Sequence, residues 1–228
     1  MRRFTAALFL IGLAVLIAGI YQQMSFYGAS VNLGQAINSM APNQVGSANL
    51  VTSVVLAYRG LDTLVELSIL FTAATAAGML LHRRKPATKT DPDGGFVLRA
   101  GSDLFFPLLV VVGIYIILHG HLTPGGGFQG GVILACAFFV PLLARPGQQL
   151  DQRWISLLEG LAGAAFILIG LLAMIDGAAF LTPLLGKGEL GSLFSAGSLP
   201  VLYTAVGLKV GAELAGLLAH LSAQDALD

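Results

Sequence analysis

Charged residues are scarce in this chain, and their scarcity sets the class of protein. Only 11% of the 228 residues are Asp, Glu, Lys or Arg, whereas 56% are hydrophobic, and the mean hydropathy is +0.82. A soluble domain carries about a quarter charged residues, so the composition predicts an integral membrane protein. The formal net charge is zero, which leaves no basic surface for binding nucleic acid.

Cysteine is also nearly absent, since Cys136 is the only one in the sequence. A single cysteine allows neither an internal disulfide nor a cysteine-built metal site. Cys136 lies inside an apolar run, where a small core residue is the favoured interpretation. No motif in the sequence binds a redox centre, and we expect no cofactor.

Six stretches are long and apolar enough to cross a membrane. A helix needs about 20 mostly apolar residues for this, and the sequence predicts an all-α fold with spans at residues 4–21, 50–81, 100–118, 128–144, 154–175 and 198–221. The first stretch follows Arg2 and Arg3, as in a signal peptide. No A-x-A-like cleavage site follows it, so we expect a retained helix.

The placement of basic residues predicts the orientation. Loops rich in Lys and Arg stay in the cytoplasm. Six helices with both termini in the cytoplasm leave only Lys187 in the outer loops, and place on the inner side Arg2, Arg3, Arg83, Arg84, Lys85, Lys89, Arg99, Arg145 and Arg153. The prediction is a multi-pass protein of the cell membrane.

Two connecting segments differ from the spans in composition. Residues 82–98 are polar and contain two prolines and two glycines, which is typical of a linker. We therefore expect a two-helix module at residues 1–86, a cytoplasmic linker at 87–97 and a four-helix domain at 98–228. The outer loop at residues 21–49 has no charged residue and is predicted to be an ordered surface or re-entrant segment.

Three charged residues fall inside the second predicted span, where each needs a partner, an aqueous cavity or a function. Arg59, Asp62 and Glu66 are spaced by three and four residues, which puts them on one helical face. Two interpretations stay open. Either Arg59 neutralises Asp62 while Glu66 pairs with a neighbouring helix, or the three form a relay of titratable groups.

The last predicted span holds Lys209 and Glu213, with His220 one heptad further along the same face. The pair is either a neutralised ion pair that fixes helix packing or a site where a buried lysine gives up its proton. Gly207 and Gly211 form a G-x-x-x-G pattern, which lets another helix approach closely. We expect a partner helix there, either from this chain or from another subunit.

Two further acidic residues lie near the predicted cytoplasmic helix ends. These are Asp103, at the start of the third span, and Glu159, near the start of the fifth. We expect both to be interfacial groups, close to Arg99 and Arg153 respectively.

A glycine-rich turn at residues 119–132, HGHLTPGGGFQGGV, joins the third and fourth spans on the predicted outer face. Its GGGFQG matches a dinucleotide-binding pattern, but that pattern requires a preceding strand. Two histidines at i and i+2 without a nearby acid do not predict a metal site. The turn serves either close helix packing or ion access, through His119, His121, Pro124, Gly125, Gly126, Gly127 and Phe128.

This turn, with Asp103 at the start of the preceding helix, closely resembles the signature of the MnhB/MrpB-type component of Mrp-type multisubunit Na+/H+ antiporters. The resemblance covers about residues 95–221. Residues 49–71 resemble the small E-type component of membrane-bound hydrogenases, whose counterpart is the C-terminal end of the large A-type antiporter component. The R-x-x-D-T-x-x-E core of the E-type component matches Arg59, Asp62, Thr63 and Glu66. The chain thus resembles a fusion of two modules.

The resemblance implies a non-catalytic accessory subunit of a complex that exchanges cytoplasmic Na+ for external H+. Its partners would be large complex-I-like subunits, small membrane subunits and lipid. We assign to the ion or proton route Arg59, Asp62, Glu66, Lys209 and Glu213. Two alternatives stay open: a membrane subunit of a hydrogenase-like redox-driven ion pump, and a purely structural bridging subunit.

Overall fold

The computed structural model describes residues 2–23, 32–81, 95–145, 150–175 and 179–225, and these residues form helices, turns and loops without a β-strand. Two compact units are present, Met1–Ser39 and Met40–Asp228. The predicted all-α class is confirmed. The helices are α1 (Arg2–Gln23), α2 (Asn32–Val45), α3 (Leu50–Thr52), α4 (Gly60–Leu81), α5 (Phe96–Leu118), α6 (Gly127–Ala144), α7 (Gln152–Leu172) and α8 (Leu199–Asp225).

Five of the described helices, α4 to α8, are long and apolar enough to cross a membrane. They coincide with the last five predicted spans, with ends shifted by at most four residues except at α4, which begins ten residues later than predicted. The first predicted span is also helical, as α1, with an apolar stretch at Phe9–Gly19. A multi-pass membrane protein is therefore confirmed, while the orientation with both termini in the cytoplasm stays a prediction.

The two connecting segments are only partly described. Within the outer loop predicted at residues 21–49, α2 occupies Asn32–Val45, so the second half of this segment is ordered as expected, while residues 24–31 lie outside the described residues. Most of the predicted linker at residues 87–97 lies outside the described residues.

The second predicted span is broken, which corrects the prediction of one continuous helix. After α3 the chain widens into a π-helical turn, Ser53–Tyr58, and Arg59 leaves helical geometry with φ −126° and ψ 33°. Thr63 donates its hydroxyl hydrogen to the Val55 carbonyl at 2.8 Å, inside the widened turn. Arg59 therefore sits at the break and does not share one continuous helical face with Asp62 and Glu66.

Helix α8 is the centre of the second unit. It packs against α4, α5, α6 and α7 and is the most buried of the five spans. Side chains with almost no exposed surface line its first half, including Leu199, Leu202, Tyr203, Val206 and Val210. Because its neighbours surround it, α8 can carry charges away from lipid.

The glycine-rich turn owes its composition to close packing at the start of α6. A Cβ atom at Gly127 would lie 2.4 Å from the Tyr203 carbonyl oxygen, and one at Gly131 would lie 2.7 Å from the Gly207 carbonyl oxygen, both on α8. Gly130 faces α5 instead, with the Gly113 carbonyl 2.8 Å from such an atom. The partner expected at the G-x-x-x-G pattern of α8 is thus α6 of this chain.

Candidate functional site

The turn between α5 and α6 is clamped by residues 47–52, which supply hydrogen-bond donors to its carbonyl groups. Asn49 donates from its side-chain amide to the Gly120 carbonyl at 2.8 Å and from its backbone to the His121 carbonyl at 2.9 Å. The hydroxyl groups of Thr52 and Ser47 donate to the same two carbonyls, at 2.6 and 2.9 Å. These carbonyl groups are therefore engaged in holding the turn.

His121 is buried at the centre of the clamped turn, with 0% of its surface exposed. Its Nε2 lies 3.2 Å from the Ser192 carbonyl, and its Nδ1 is hydrogen-bonded to the Tyr203 hydroxyl. Burial lowers the pKa of His121, although the hydrogen bond to Ser192 opposes this. The neutral ring donates through Nε2–H to Ser192 and accepts the Tyr203 hydroxyl hydrogen at Nδ1.

The neighbouring His119 has a separate environment. Its ring stacks on Tyr115 with 4.1 Å between centroids, and its Nδ1 lies 3.0 Å from the Tyr115 carbonyl. Pro124 is exposed at the turn. Across the described ranges, no group of three or more His, Cys, Asp or Glu residues could hold a metal ion.

A first cavity brings together two predicted groups of site residues. It has a volume of about 190 Å³ and is lined by Glu66 and Thr63 of α4, by Tyr203 of α8 and by the turn residues Gly125, Gly126, Gly127 and Phe128. We call it the Glu66 cavity. Glu66 and the turn are separate features of the sequence, and their meeting depends on the break before α4.

The charges at the break pair as the local interpretation predicts. The Arg59 guanidinium lies 2.5 Å from the Asp62 carboxylate, and both side chains are more than half exposed. Glu66 is exposed as well. No ion pair or hydrogen bond joins its carboxylate to another described residue, so the expected pairing with a neighbouring helix is not found in that part of the chain.

The two charges of α8 form a cluster of three with Glu159 of α7. The Lys209 ammonium lies 3.5 Å from the Glu213 carboxylate, as the spacing predicts, and 3.4 Å from that of Glu159. Phe71 of α4 covers the ammonium, with 5.0 Å to its ring centroid. Lys209 is 9% and Glu213 5% exposed.

Glu159 is the residue of this cluster that sequence reasoning did not assign to the site. It was expected at the interface near Arg153, but the structure places it inside the bundle against Lys209. One signal was available: Gly163 follows it by one helical turn, and a Cβ atom there would lie 3.6 Å from the Lys209 side chain. A small residue beside an acid leaves room for a long basic side chain from another helix.

A second cavity adjoins this cluster, and we call it the Glu213 cavity. Its volume is about 170 Å³, and its polar lining comes from three helices: Thr75 of α4, Gln152, Ser156 and Glu159 of α7, and Glu213 and His220 of α8. Neither carboxylate oxygen of Glu213 accepts a hydrogen bond from a described residue. The cluster is thus in contact with an open polar space.

Asp103 has a structural role at the other end of the hairpin. Both of its carboxylate oxygens lie 2.8 Å from the Arg145 guanidinium, which ties the start of α5 to the end of α6. The interfacial position stays a prediction, and the structure adds Arg145 as a partner of Asp103.

Comparisons of this chain with known proteins point to one family. A family model described as a domain related to the MnhB subunit of Na+/H+ antiporter matches residues 97–216. An uncharacterised protein of Methanocaldococcus jannaschii is 29% identical, over 83% of this chain and 81% of that protein. The B-type component of the Na+/H+ antiporter of Bacillus subtilis is 31% identical, over 42% of this chain and 75% of that protein.

Solved structures share the fold over almost the whole chain. A chain of an archaeal respiratory complex, the membrane-bound sulfane sulfur reductase, has a TM-score of 0.78 and 35% identity, with 96% of this chain and 97% of that chain covered. A chain of the Mrp complex from Dietzia sp. has a TM-score of 0.73 and 22% identity, but this chain spans only 26% of it. The chain therefore belongs to the family of domains related to the MnhB subunit of Na+/H+ antiporters.

Proposed function

We propose that this chain is an accessory membrane subunit of a multisubunit antiporter for Na+ or another monovalent cation and H+, and that its buried charges belong to the ion or proton route. It is a non-catalytic component of a transport complex. The observation that carries the proposal is the position of Lys209, held inside the bundle between two carboxylates. A charge at membrane depth is costly unless it is paired or functional.

Lys209 lies between the two cavities along the central helix. The Glu66 cavity reaches α8 at Tyr203 and Val206, and the Glu213 cavity reaches it at Ala212. A rise of 1.5 Å per residue puts Val206 and Ala212 about 9 Å apart along the helix axis. Lys209 is in the lining of neither cavity, and we propose that a local movement of its side chain lets it exchange protons with either one.

We assign a second part of the route to the broken segment. Arg59 and Asp62 neutralise each other at the break, whereas Glu66 has no partner among the described residues and lines a cavity. A carboxylate in this position needs a neighbouring subunit or water to face. The partners are the large complex-I-like subunits and the small membrane subunits of the complex.

The turn residues have a supporting role in this proposal. Packing constrains Gly127, the carbonyls beside His119 and His121 are occupied by the clamp, and Gly125 to Phe128 form one wall of the Glu66 cavity. We therefore favour helix packing over direct ion binding for the turn. We also propose the division into modules at residues 1–86 and 98–228, since the family match begins at residue 97.

The test is transport by the complete complex in sealed vesicles. We expect Lys209→Met to lower Na+-dependent proton movement at least about tenfold, the effect of losing 1.4 kcal/mol in a coupled step, with assembly of the complex unchanged. Lys187→Met is the matched control, because Lys187 is exposed in the loop before α8. Normal exchange by an assembled Lys209→Met complex contradicts the proposal.

A second candidate has a specific observation in its favour. The similarity to a chain of the sulfane sulfur reductase extends over nearly the full length of both chains at 35% identity. The same chain can therefore serve a redox-driven complex that carries an antiporter-like module. Purification of the intact complex, with assays for iron, nickel and a hydrophilic redox arm, separates the two: their presence supports the redox-driven complex, and their absence supports a plain antiporter.

A further inference from the structure

We propose that the Glu213 cavity is a binding site for a small monovalent cation, at which the cation and a proton compete for the carboxylates of Glu159 and Glu213. The inference rests on the proposed function and deepens it, because it locates the exchange of cation for proton within this chain. It involves Glu159, His220 and the cavity, none of which the sequence alone assigns to the route.

The shape and lining of the cavity suit a partly hydrated cation. Its volume of about 170 Å³ exceeds the roughly 30 Å³ that one water molecule occupies in the liquid. Oxygen atoms of Thr75, Ser156 and Gln152 line it besides the two carboxylates. Oxygen atoms are the ligands that hard cations prefer.

A buried carboxylate without a hydrogen-bond donor among the described residues belongs to the lining of this space. The Glu213 side chain is 3% exposed, and its nearest charged partner is the Lys209 ammonium at 3.5 Å from one oxygen. Neither oxygen accepts a hydrogen bond from a described residue, although an ionised carboxylate has about four acceptor positions. Buried polar groups are nearly always satisfied, so a ligand from the cavity supplies what the chain does not.

The charges of the cluster select a single positive charge. Two carboxylates and one ammonium leave one net negative charge when all three are ionised. The other titratable group lining the cavity is His220, at its α8 end, while α4 contributes Ala74, Thr75 and Gly78. One proton or one monovalent cation makes the cluster neutral, whereas a divalent ion leaves it positive, and net charge is costly in a low-dielectric interior.

The exchange step follows from this balance. With a proton on Glu213, the O–H bond breaks as the cation enters, the electron pair stays on the carboxylate, and the proton leaves to water in the cavity. The carboxylate then holds the cation. In the reverse direction a proton from water displaces it, so the site holds one or the other.

The experiment uses the purified complex with the full chain and infrared difference spectra between choline chloride and NaCl. We expect Na+ to convert a protonated carboxyl band into a carboxylate band, and Glu213→Gln to abolish this change. Glu189→Gln is the matched control, since Glu189 is exposed in the loop before α8, and it should keep the signal. Retention of the full signal in Glu213→Gln overturns the proposal.

A second variant covers the case in which Glu213→Gln fails to assemble. Glu159→Gln should weaken the apparent Na+ affinity at least about tenfold and keep the spectral change at higher Na+. In the unmodified complex, the apparent affinity for Na+ should rise about tenfold for each unit of increase in pH, over the range in which the carboxyl group is protonated. The proposal is overturned if the apparent Na+ affinity does not depend on pH, or if it is unchanged in Glu159→Gln.

Failure of the site and failure of the proposed function give different results. A complex with the Na+-dependent signal at Glu213 that moves no protons with cations refutes the antiporter role and leaves the site in place. A complex that transports normally without this signal refutes the site and leaves the antiporter role intact.

Discussion

His121 shows how one residue holds three parts of the second unit together. Its backbone carbonyl accepts hydrogen bonds from Ser47 and Asn49, and its ring joins Ser192 and Tyr203. A fully buried imidazole with both nitrogens occupied has a fixed tautomer. The residue therefore acts as a neutral connector, which differs from the titrating ion-access role that the sequence alone leaves open.

Acid should weaken the folded protein through His121. Because burial lowers its pKa from 6.5, the unfolded chain takes up a proton below about pH 6.5 while the folded chain does not. The contribution of His121 to the free energy of unfolding should thus be fully present above that pH. It should fall as the pH decreases towards the lowered pKa. Thermal unfolding of the purified complex between about pH 5 and 7 measures this.

The matched variants for this prediction are His121→Gln and His119→Gln. A glutamine at position 121 keeps a donor for the Ser192 carbonyl but does not titrate, so the acid-side loss should become smaller. The loss should persist in His119→Gln, because among the described residues the His119 ring is hydrogen-bonded only to the Tyr115 carbonyl. Equal acid sensitivity in the original chain and in His121→Gln would contradict the prediction.

The cluster of Lys209, Glu213 and Glu159 shows which contacts between single residues a sequence can predict. Lys209 and Glu213 are four residues apart on one helix, so their pairing follows from helical geometry alone. Glu159 is 50 residues away and joins them because α7 packs on α8. No local pattern encodes that contact, and proximity to Arg153 in the sequence indicated a different partner.

Among the elements, the hydropathy signal located every span but did not detect the break before α4. Residues 50–81 are apolar enough overall to be interpreted as one span despite their three charged residues, whereas the π-helical turn depends on which carbonyl each backbone N–H reaches. Gly60 fits the break because Leu181 occupies the space of a side chain, 2.5 Å from where a Cβ atom would lie. That contact comes from a loop 121 residues later, beyond the reach of any local pattern.

The contact between α6 and α8 should be sensitive to a single methyl group. Gly127→Ala places a Cβ atom 2.4 Å from the Tyr203 carbonyl oxygen, and backbone on both sides prevents a simple rearrangement. We expect a loss of about 1–3 kcal/mol in the free energy of unfolding, as for other overpacked sites. Denaturant or thermal unfolding of the purified complex measures the loss.

Gly160→Ala is the control for this helix contact. Gly160 lies in α7 with open space around its Cβ position, and alanine favours a helix over glycine by about 1 kcal/mol. The control should be neutral or slightly more stable. Equal stability of the Gly127→Ala and Gly160→Ala complexes would refute the packing role assigned to the turn.

For the molecule as a whole, the exposed Glu66 indicates that this chain is incomplete without neighbours. Large apolar side chains cover the surface of α4 and α5, which suits lipid or protein contact, but a carboxylate among them does not suit lipid. The family and the structural matches place similar chains in multisubunit membrane complexes. We therefore expect a neighbouring subunit to cover the Glu66 cavity in an assembled complex.

Removing the Glu66 charge tests this view of the assembly. We expect Glu66→Gln to keep the complex intact, because the amide is close in size, and to lower Na+-dependent proton movement at least about tenfold. Glu189→Gln should transport normally, as a loop residue. Size-exclusion chromatography verifies assembly, and full transport by Glu66→Gln would refute a role for this carboxylate in the route.

The clamp on the turn joins two segments of one polypeptide that the proposed division assigns to different modules. Its donors, residues 47–52, belong to the proposed first module, and its acceptors, residues 120–123, belong to the second. Because one polypeptide carries both, their association is intramolecular, and linking two binding partners raises their effective concentration for each other. The covalent connection therefore adds to the hydrogen bonds that hold the two segments together.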